Sequence, residues 1–317
     1  MLNECLRMLS SGVVRADIRL YEPLSRWTTF RVGGSADALF IPRDEAELIK
    51  AIRAARDTNT PLTVIGNGSN LLVRDGGIRG LVLRIGPECE EALGNTQEPV
   101  CGTEPGADNI RLTVGAGVTL SQAARAAQRA GLAGMEAISG IPGSVGGAAW
   151  MNAGAYDREM SNIVESVRAI GRDGDALAFE GDALAFRYRG SAMMDAGVAI
   201  TRVTFRLTED DPRAIEERTA QYTAKRRAKQ PLAAASAGSF FKRPAGHFAG
   251  KLIEDAGLKG LTVGGAQVSQ MHAGFIINKG GASAADIIRL KDEVIARVFD
   301  KFGVRLEPEV RILGADA

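Results

Sequence analysis

Short β-branched runs alternate along the chain with longer segments whose apolar residues recur at helical spacing. Residues 62–65, 81–85 and 112–114 are apolar runs bounded by turn residues, the pattern of short strands. Over 44–56, Leu48, Ile49, Ile52 and Ala55 keep a helical period, and Asp44 with Glu47 stands at its start as a capping pair. Residues 120–130 read as an alanine-rich helix, and alternation over 198–207 predicts a half-buried strand. Asp210 and Asp211 precede Pro212, which opens a helix running to about Lys229, where Pro231 stops it. A last helix, roughly 285–302, carries Ile288, Val294, Ile295, Val298 and Phe302 on or near one face; Gly303 ends it, and a strand around 309–313 follows. Residues 86–110 show little periodicity and read as a loop insertion. No internal repeat is visible. Mixed strands and helices give way near 205–215 to a helix-rich segment with a terminal strand, which predicts a domain boundary there in a chain of 317 residues.

Composition changes this picture in three places. With 39 Lys and Arg against 38 Asp and Glu, the net charge is +1, whereas dedicated nucleic-acid binders carry a clear basic excess. Two His and three Cys, the latter at 5, 89 and 101, supply neither a multi-histidine metal site nor a structural zinc site nor a disulfide framework. A reducing compartment is therefore expected. The N-terminal residues lack the apolar core of a signal peptide, and no run approaches the ~20 apolar residues of a membrane span, so a cytoplasmic protein is expected. The third departure is glycine: 38 residues, about 12% of the chain against a usual ~7%.

The glycines cluster beside the predicted strands. One group is Gly33 and Gly34 after Thr28, Thr29, Phe30, Arg31 and Val32. A second is Gly66, Asn67, Gly68, Ser69 and Asn70. The densest runs Gly140, Ile141, Pro142, Gly143, Ser144, Val145, Gly146, Gly147. Such loops serve either as tight turns or as places where backbone N–H groups approach a phosphate without an intervening Cβ. The dinucleotide fingerprint itself fails, since Leu71 stands where its third glycine belongs and no clear helix follows.

Downstream, Arg187, Tyr188, Arg189 and Ser191 gather two guanidiniums, a phenol and a hydroxyl; Arg189 either clamps a carboxylate or belongs to a surface charge pair. Ser239 sits in a small-residue turn ahead of Phe240 and Phe241 but lacks a nucleophile elbow, which leaves a serine hydrolase weakly supported. Glu307 and Glu309 flank Pro308 and point into a cleft or to solvent. Lys225, Arg226, Arg227 and Lys229 form a basic helix end, either partners of the helix dipole or a diphosphate grip. His272 has no nameable partner and reads as a core or supporting histidine.

Taken together and in order, six segments resemble one family. They are Thr29 to Gly34, Gly66 to Asn70, Gly140 to Gly147, Tyr188-Arg189-x-Ser191, Gly238-Ser239-x-Phe241-Lys242-x-Pro244, and Leu306 to Val310, and the family is the UDP-N-acetylenolpyruvoylglucosamine reductases (MurB) of bacterial peptidoglycan synthesis. The resemblance spans about 25–313 and implies an α+β protein. A two-lobed FAD-binding module of the vanillyl-alcohol-oxidase (PCMH) type would occupy 1–210, its lobes split near 85, and a substrate-binding domain 211–317.

The same resemblance implies FAD, NADPH as hydride donor and UDP-N-acetylglucosamine enolpyruvate as substrate. The FAD is expected to be non-covalent and the protein a monomer, and charge and hydropathy lead us to expect no nucleic-acid or membrane partner. It assigns Ser239 as proton donor, with Arg189 and Glu309 at the substrate carboxylate. Arg31, Gly33, Gly66, Asn67, Gly68, Ser69, Asn70, Gly143, Ser144, Gly146 and Gly147 would line FAD, and Tyr188 and Lys229 the substrate. The short interval from Ser191 to Ser239 matches the shorter type II subclass, which lacks a substrate-gating tyrosine loop. Two departures stand: Ala192 and Met193 follow the Tyr-Arg-x-Ser segment where bulkier residues are usual, and 86–110 is longer than expected.

Two other readings compete. One is an oxidase or dehydrogenase of the same flavin superfamily, although no His or Cys in the glycine loops offers a covalent flavin tether. The other is a nucleotide-binding module without turnover, which leaves Arg189, Ser239 and Glu309 unexplained.

Overall fold

The computed structural model describes residues 1–11, 17–89, 93 and 110–317; of the 86–110 insertion, residues 90–92 and 94–109 lie outside the described residues. The chain forms two compact units, one made of Met1–Arg19, Ala38–Asn67 and Gly80–Ala224, the other of Leu20–Asp37, Gly68–Arg79 and Lys225–Ala317. Both mix helices and strands, the α+β class expected.

The first unit is organised by the strand Ala199–Glu209, whose alternating burial follows its apolar and polar alternation. It pairs antiparallel with Val164–Ile170 on one side and Ile110–Gly115 on the other, with Phe205 opposite both Val164 and Leu112. Ala176–Glu180 extends the sheet at its edge, and Leu132–Ala133 pairs with the strand's far end. Elsewhere in this unit Leu62–Ile65 runs parallel to the second half of Ile78–Arg84, with Leu62 opposite Leu81. The helix Glu45–Asp57 begins as its capping residues predict, Asp44 accepting from the Glu47 N–H at 2.8 Å. The reciprocal half of that box is missing, because the Glu47 carboxylate turns instead to the Arg43 N–H and guanidinium. Leu120–Arg129 carries the complete box, Thr119 with Gln122.

In the second unit Phe30, Leu72, Phe240, Phe241, Ile253, Val268, Ile276 and Leu306 share one core with the helix Ala284–Phe302. The face this helix buries is Ile287, Leu290, Val294 and Val298. Ile288 and Ile295 lie at its margin and Phe302 is exposed, so the apolar stripe is rotated by a residue from the face expected. Gly303 ends the helix in the left-handed region at φ 68°. The terminal strand is Arg311–Leu313, shorter than 309–313, and runs parallel to Leu71–Val73, directly after the second glycine group. Among the described residues no helix is long and apolar enough to cross a membrane.

Candidate active site

Two glycine loops meet in the first unit. The strand Leu62–Ile65 delivers Gly66 and Asn67, and the Gly140 to Gly147 segment ends in the helix Val145–Trp150, capped by the Ser144 hydroxyl, which accepts from Gly147 N–H at 3.3 Å. The loops approach closely because Gly66 lacks a side chain: a Cβ there would lie 2.6 Å from Ser144 Oγ. Asn67 Nδ2 donates to the Pro142 carbonyl at 3.0 Å and pins the two together. Arg84, buried at the end of an apolar strand, donates to the Gly66 carbonyl at 2.8 Å. Nothing in the sequence marks Arg84 for this task, since it lies in a run that reads as core.

What these loops leave unused is their N–H groups. Among the described residues, the backbone N–H groups of Asn67, Gly140, Gly143 and Ser144 donate to no protein acceptor. Backbone N–H groups without protein acceptors in glycine loops fit the oxygens of a diphosphate, which needs donors at close range and no bulky side chains. The residues therefore fit the diphosphate of FAD.

The same unit holds Tyr188 and Arg189, the two central residues of a turn in which Arg187 and Gly190 exchange N–H···O bonds of 3.0 Å in both directions. Arg189 adopts φ 55°, a left-handed conformation uncommon outside glycine. Its guanidinium lies 5.1 Å from the Tyr188 ring centroid and 3.8 Å from Glu159 Oε1.

The second unit brings Ser239 and Glu309 together. Phe240 donates its N–H to the Gly274 carbonyl at 2.8 Å and accepts from the Glu309 N–H at 2.8 Å, so residues 239–241 lie as a strand between 274–275 and 308–309. Ser239 follows Gly238, which turns the chain at φ 79°, and its side chain is exposed while Phe240 is buried. Among the described residues the Ser239 hydroxyl has no hydrogen-bond partner. Asn70 Nδ2 donates to the Glu309 carbonyl at 3.2 Å, and Arg311 N–H donates to the Asn70 carbonyl at 3.0 Å, which ties the second glycine group to the Glu309 segment.

In this unit, too, Thr29 N–H donates to Gly68 O at 3.2 Å, joining the segment of Arg31 and Gly33 to Gly68, Ser69 and Asn70. Arg31, like Arg189, holds a left-handed φ, here 56°. Lys229 ends the helix Pro212–Lys229 and is exposed.

Within a unit the structure thus ties Gly66 and Asn67 to the Gly140 to Gly147 loop, sets Tyr188 and Arg189 in one turn, and bonds Asn70 and the Phe240 backbone to the Glu309 backbone.

The sequence profile of the UDP-N-acetylenolpyruvoylglucosamine reductase C-terminal domain matches residues 230–313, and that of an FAD binding domain matches 36–180. The UDP-N-acetylenolpyruvoylglucosamine reductase of Pediococcus pentosaceus is 46% identical over 296 residues, 93% of this chain and 94% of that protein. This chain belongs to that family. The family's member from Agathobacter rectalis is 47% identical over 294 residues, 92% of this chain and 93% of the relative. The crystal structure of UDP-N-acetylenolpyruvylglucosamine reductase (MurB) from Thermus caldophilus aligns with a TM-score of 0.77 and 36% identity, covering 95% of this chain and 99% of that one. Membership of the reductase family accounts for an FAD-binding module followed by a distinct C-terminal domain.

Proposed function

We infer that this chain is an FAD-dependent UDP-N-acetylmuramate dehydrogenase: it uses NADPH to reduce the enolpyruvyl group of UDP-N-acetylglucosamine enolpyruvate to the lactyl ether, in peptidoglycan synthesis. The observation that carries the reading is near-complete coverage of reductase relatives at 46–47% identity, joined to an exposed Ser239 hydroxyl, without a hydrogen-bond partner among the described residues, on a segment whose Phe240 carbonyl accepts from the Glu309 N–H. FAD, when bound, relays hydride from NADPH to the terminal vinyl carbon of the substrate.

Every other requirement falls to side chains and backbone. The adjacent carbon gains carbanion character shared with its carboxylate, so it needs positive charge and a proton. Arg189 supplies a charge that is never lost by deprotonation. Ser239 supplies the proton from its hydroxyl; a serine is a weak acid in water, but a carbanion-like centre is basic enough to take the proton. Glu309 assists at the same carboxylate, and Tyr188 and Lys229 bind other parts of the substrate. Gly66 to Asn70 and Gly143 to Gly147 line the FAD diphosphate, with Asn67, Gly143 and Ser144 offering it their backbone N–H groups and Arg31 and Gly33 at the edge of that site.

In this reading residues 1–210 form the FAD-binding module and 211–317 the substrate-binding domain. The protein acts as a cytoplasmic monomer of the shorter subclass.

An anaerobic titration tests the activity. The purified protein is expected to be yellow, to bleach with NADPH, and to recolour on adding the enolpyruvyl substrate. Recolouring by air at the same speed without substrate would indicate an oxidase, and a colourless protein that takes up no FAD would overturn the reading.

A further inference from the structure

The Arg189 turn is tied to the end of the helix whose start forms the third glycine loop. That helix, Val145–Trp150, is six residues long and spans about 9 Å. Just past it, Asn152 is 1% exposed, and its side chain bonds the turn and the segment facing it. Its Nδ2 donates to Glu159 Oε2 at 2.8 Å and to the Arg187 carbonyl at 3.1 Å, and its Oδ1 accepts from the Ser161 N–H at 2.9 Å. The other carboxylate oxygen of Glu159 faces the Arg189 guanidinium at 3.8 Å. A second tether lies beside the first, where the fully buried Ser191 hydroxyl donates to the Trp150 carbonyl at 2.7 Å.

One amide therefore grips both the backbone that carries Arg189 and the carboxylate that faces it. The backbone around this grip is held in uncommon conformations: Asn152 at φ 48°, Tyr156 at 55°, Asp157 at 59° and Arg189 at 55°. Tyr156 and Asp157 are the tip of the two-residue hairpin joining Gly154–Ala155 to Arg158–Glu159, which itself calls for positive φ. Arg189 holds its positive φ in a turn with no glycine at that position, and the Asn152 amide bonds this turn at the Arg187 carbonyl. The Glu159–Arg189 separation is long for an ion pair, so the guanidinium is oriented yet not bidentately satisfied by this carboxylate.

We propose that Asn152 is a positioning residue of the reductase, clamping the Arg189 turn and, through Glu159, setting the direction in which the guanidinium meets the substrate carboxylate. The proposal rests on the reading of Arg189 as the carboxylate-binding group. It goes beyond that reading by assigning the geometry of Arg189 to two residues outside the proposed substrate- and FAD-binding set.

The test uses the flavin-loaded full-length protein and the variants Asn152→Asp, Glu159→Gln and Arg189→Ala. Asp tolerates a left-handed backbone as Asn does, but its side chain has no N–H to give to Glu159 or to the Arg187 carbonyl. Three quantities are read: the rate of bleaching by NADPH, the Kd of UDP-N-acetylglucosamine enolpyruvate for the oxidised protein by calorimetry, and the rate of recolouring by that substrate. Asn152→Asp is expected to bleach at the parental rate while its Kd rises about tenfold and recolouring slows. Glu159→Gln is expected to do the same with a rise of about threefold, and neither change is expected to add to the loss in Arg189→Ala when combined with it.

Parental Kd and recolouring in Asn152→Asp and Glu159→Gln, alongside an impaired Arg189→Ala, would overturn the positioning role while leaving the Arg189 assignment intact. Full additivity with Arg189→Ala would overturn it as well. A parental Arg189→Ala would instead remove the assignment on which the proposal stands. If Asn152→Asp yields no flavin-loaded protein, Glu159→Gln decides by the same two criteria.

Discussion

Two neighbouring glycines of the helix Val145–Trp150 separate the demands of folding from those of cofactor binding. Gly146 is buried, and a Cβ there would lie 2.7 Å from Ala116 Cβ and 3.2 Å from the Ala116 carbonyl oxygen, to which the Gly146 N–H already donates at 2.8 Å. Two carbons at that distance are well inside their optimal separation of about 3.5–4.0 Å. Gly146→Ala must therefore move the loop by several tenths of an ångström or more. Overpacking of this kind costs about 1–3 kcal/mol, and the gain in helix propensity offsets about 1 kcal/mol of it. Gly147 is exposed, and its Cβ would meet only Ser144 Oγ, at 3.2 Å. Gly147→Ala should therefore leave the apoprotein as stable as the parent or up to about 1 kcal/mol more so.

FAD should reverse the ranking. If the Gly143 to Gly147 backbone holds the diphosphate, the exposed face of Gly147 is where the cofactor approaches, and a methyl group there obstructs it. Urea unfolding of the apoproteins reports stability, and titration of apoprotein with FAD, followed by flavin fluorescence, reports affinity. The expected result is a lowered unfolding midpoint for Gly146→Ala, and for Gly147→Ala a parental midpoint with FAD binding weakened at least about tenfold, or 1.4 kcal/mol. Parental FAD affinity in Gly147→Ala would refute the placement of FAD against this loop. A parental midpoint in Gly146→Ala would refute the steric argument.

Ser239→Ala should bleach with NADPH at the parental rate yet stall in recolouring with the enolpyruvyl substrate, since only the proton is withdrawn; normal turnover, measured by NADPH consumption, would end the proton-donor role. Burial pushes the His272 imidazole below its ordinary value of 6.5, and Nδ1 accepts from the Gly274 N–H at 3.1 Å. The unfolded chain then binds a proton that the folded chain refuses, so stability falls as pH drops below about 6.5. His272→Gln should shrink the difference between urea midpoints at pH 7.5 and 5.5, and an unchanged difference would count against a neutral, buried imidazole. Cys89 is 1% exposed and burial pushes its thiol up to about 11, so iodoacetamide at pH 8 should leave it unmodified in the native protein and label it once urea is added. Labelling of native Cys89, read by peptide mass mapping, would contradict that burial.

Local patterns were legible wherever a segment's periodicity and end residues agreed. Asp44, Pro212 and Gly303 each mark a helix end within a residue or so of where it falls, because capping is chemistry of near neighbours. The rotated face of Ala284–Phe302 was not legible, since Ile288 and Ile287 are equally apolar and only the packing partner chooses between them. Among site residues, glycine loops announce themselves by composition. Asn152, Glu159 and Arg84 do not, as an amide, a carboxylate and a guanidinium read as ordinary surface residues until the fold supplies their partners.

The sequence by itself determined the family, the order of its motifs and the chemistry on offer: backbone donors in glycine loops, one isolated serine hydroxyl, and too few His and Cys for metal work. These follow from residue identity and from contacts a few positions apart. Tertiary structure alone decided that Phe240 hydrogen-bonds Gly274 on one side and Glu309 on the other, and that Asn152 reaches across 35 residues to the Arg187 carbonyl. Such contacts depend on which strands pair and how closely two loops can approach. That is settled by the burial of a whole core and by which loop packs against Gly66, and no local stretch of sequence encodes either.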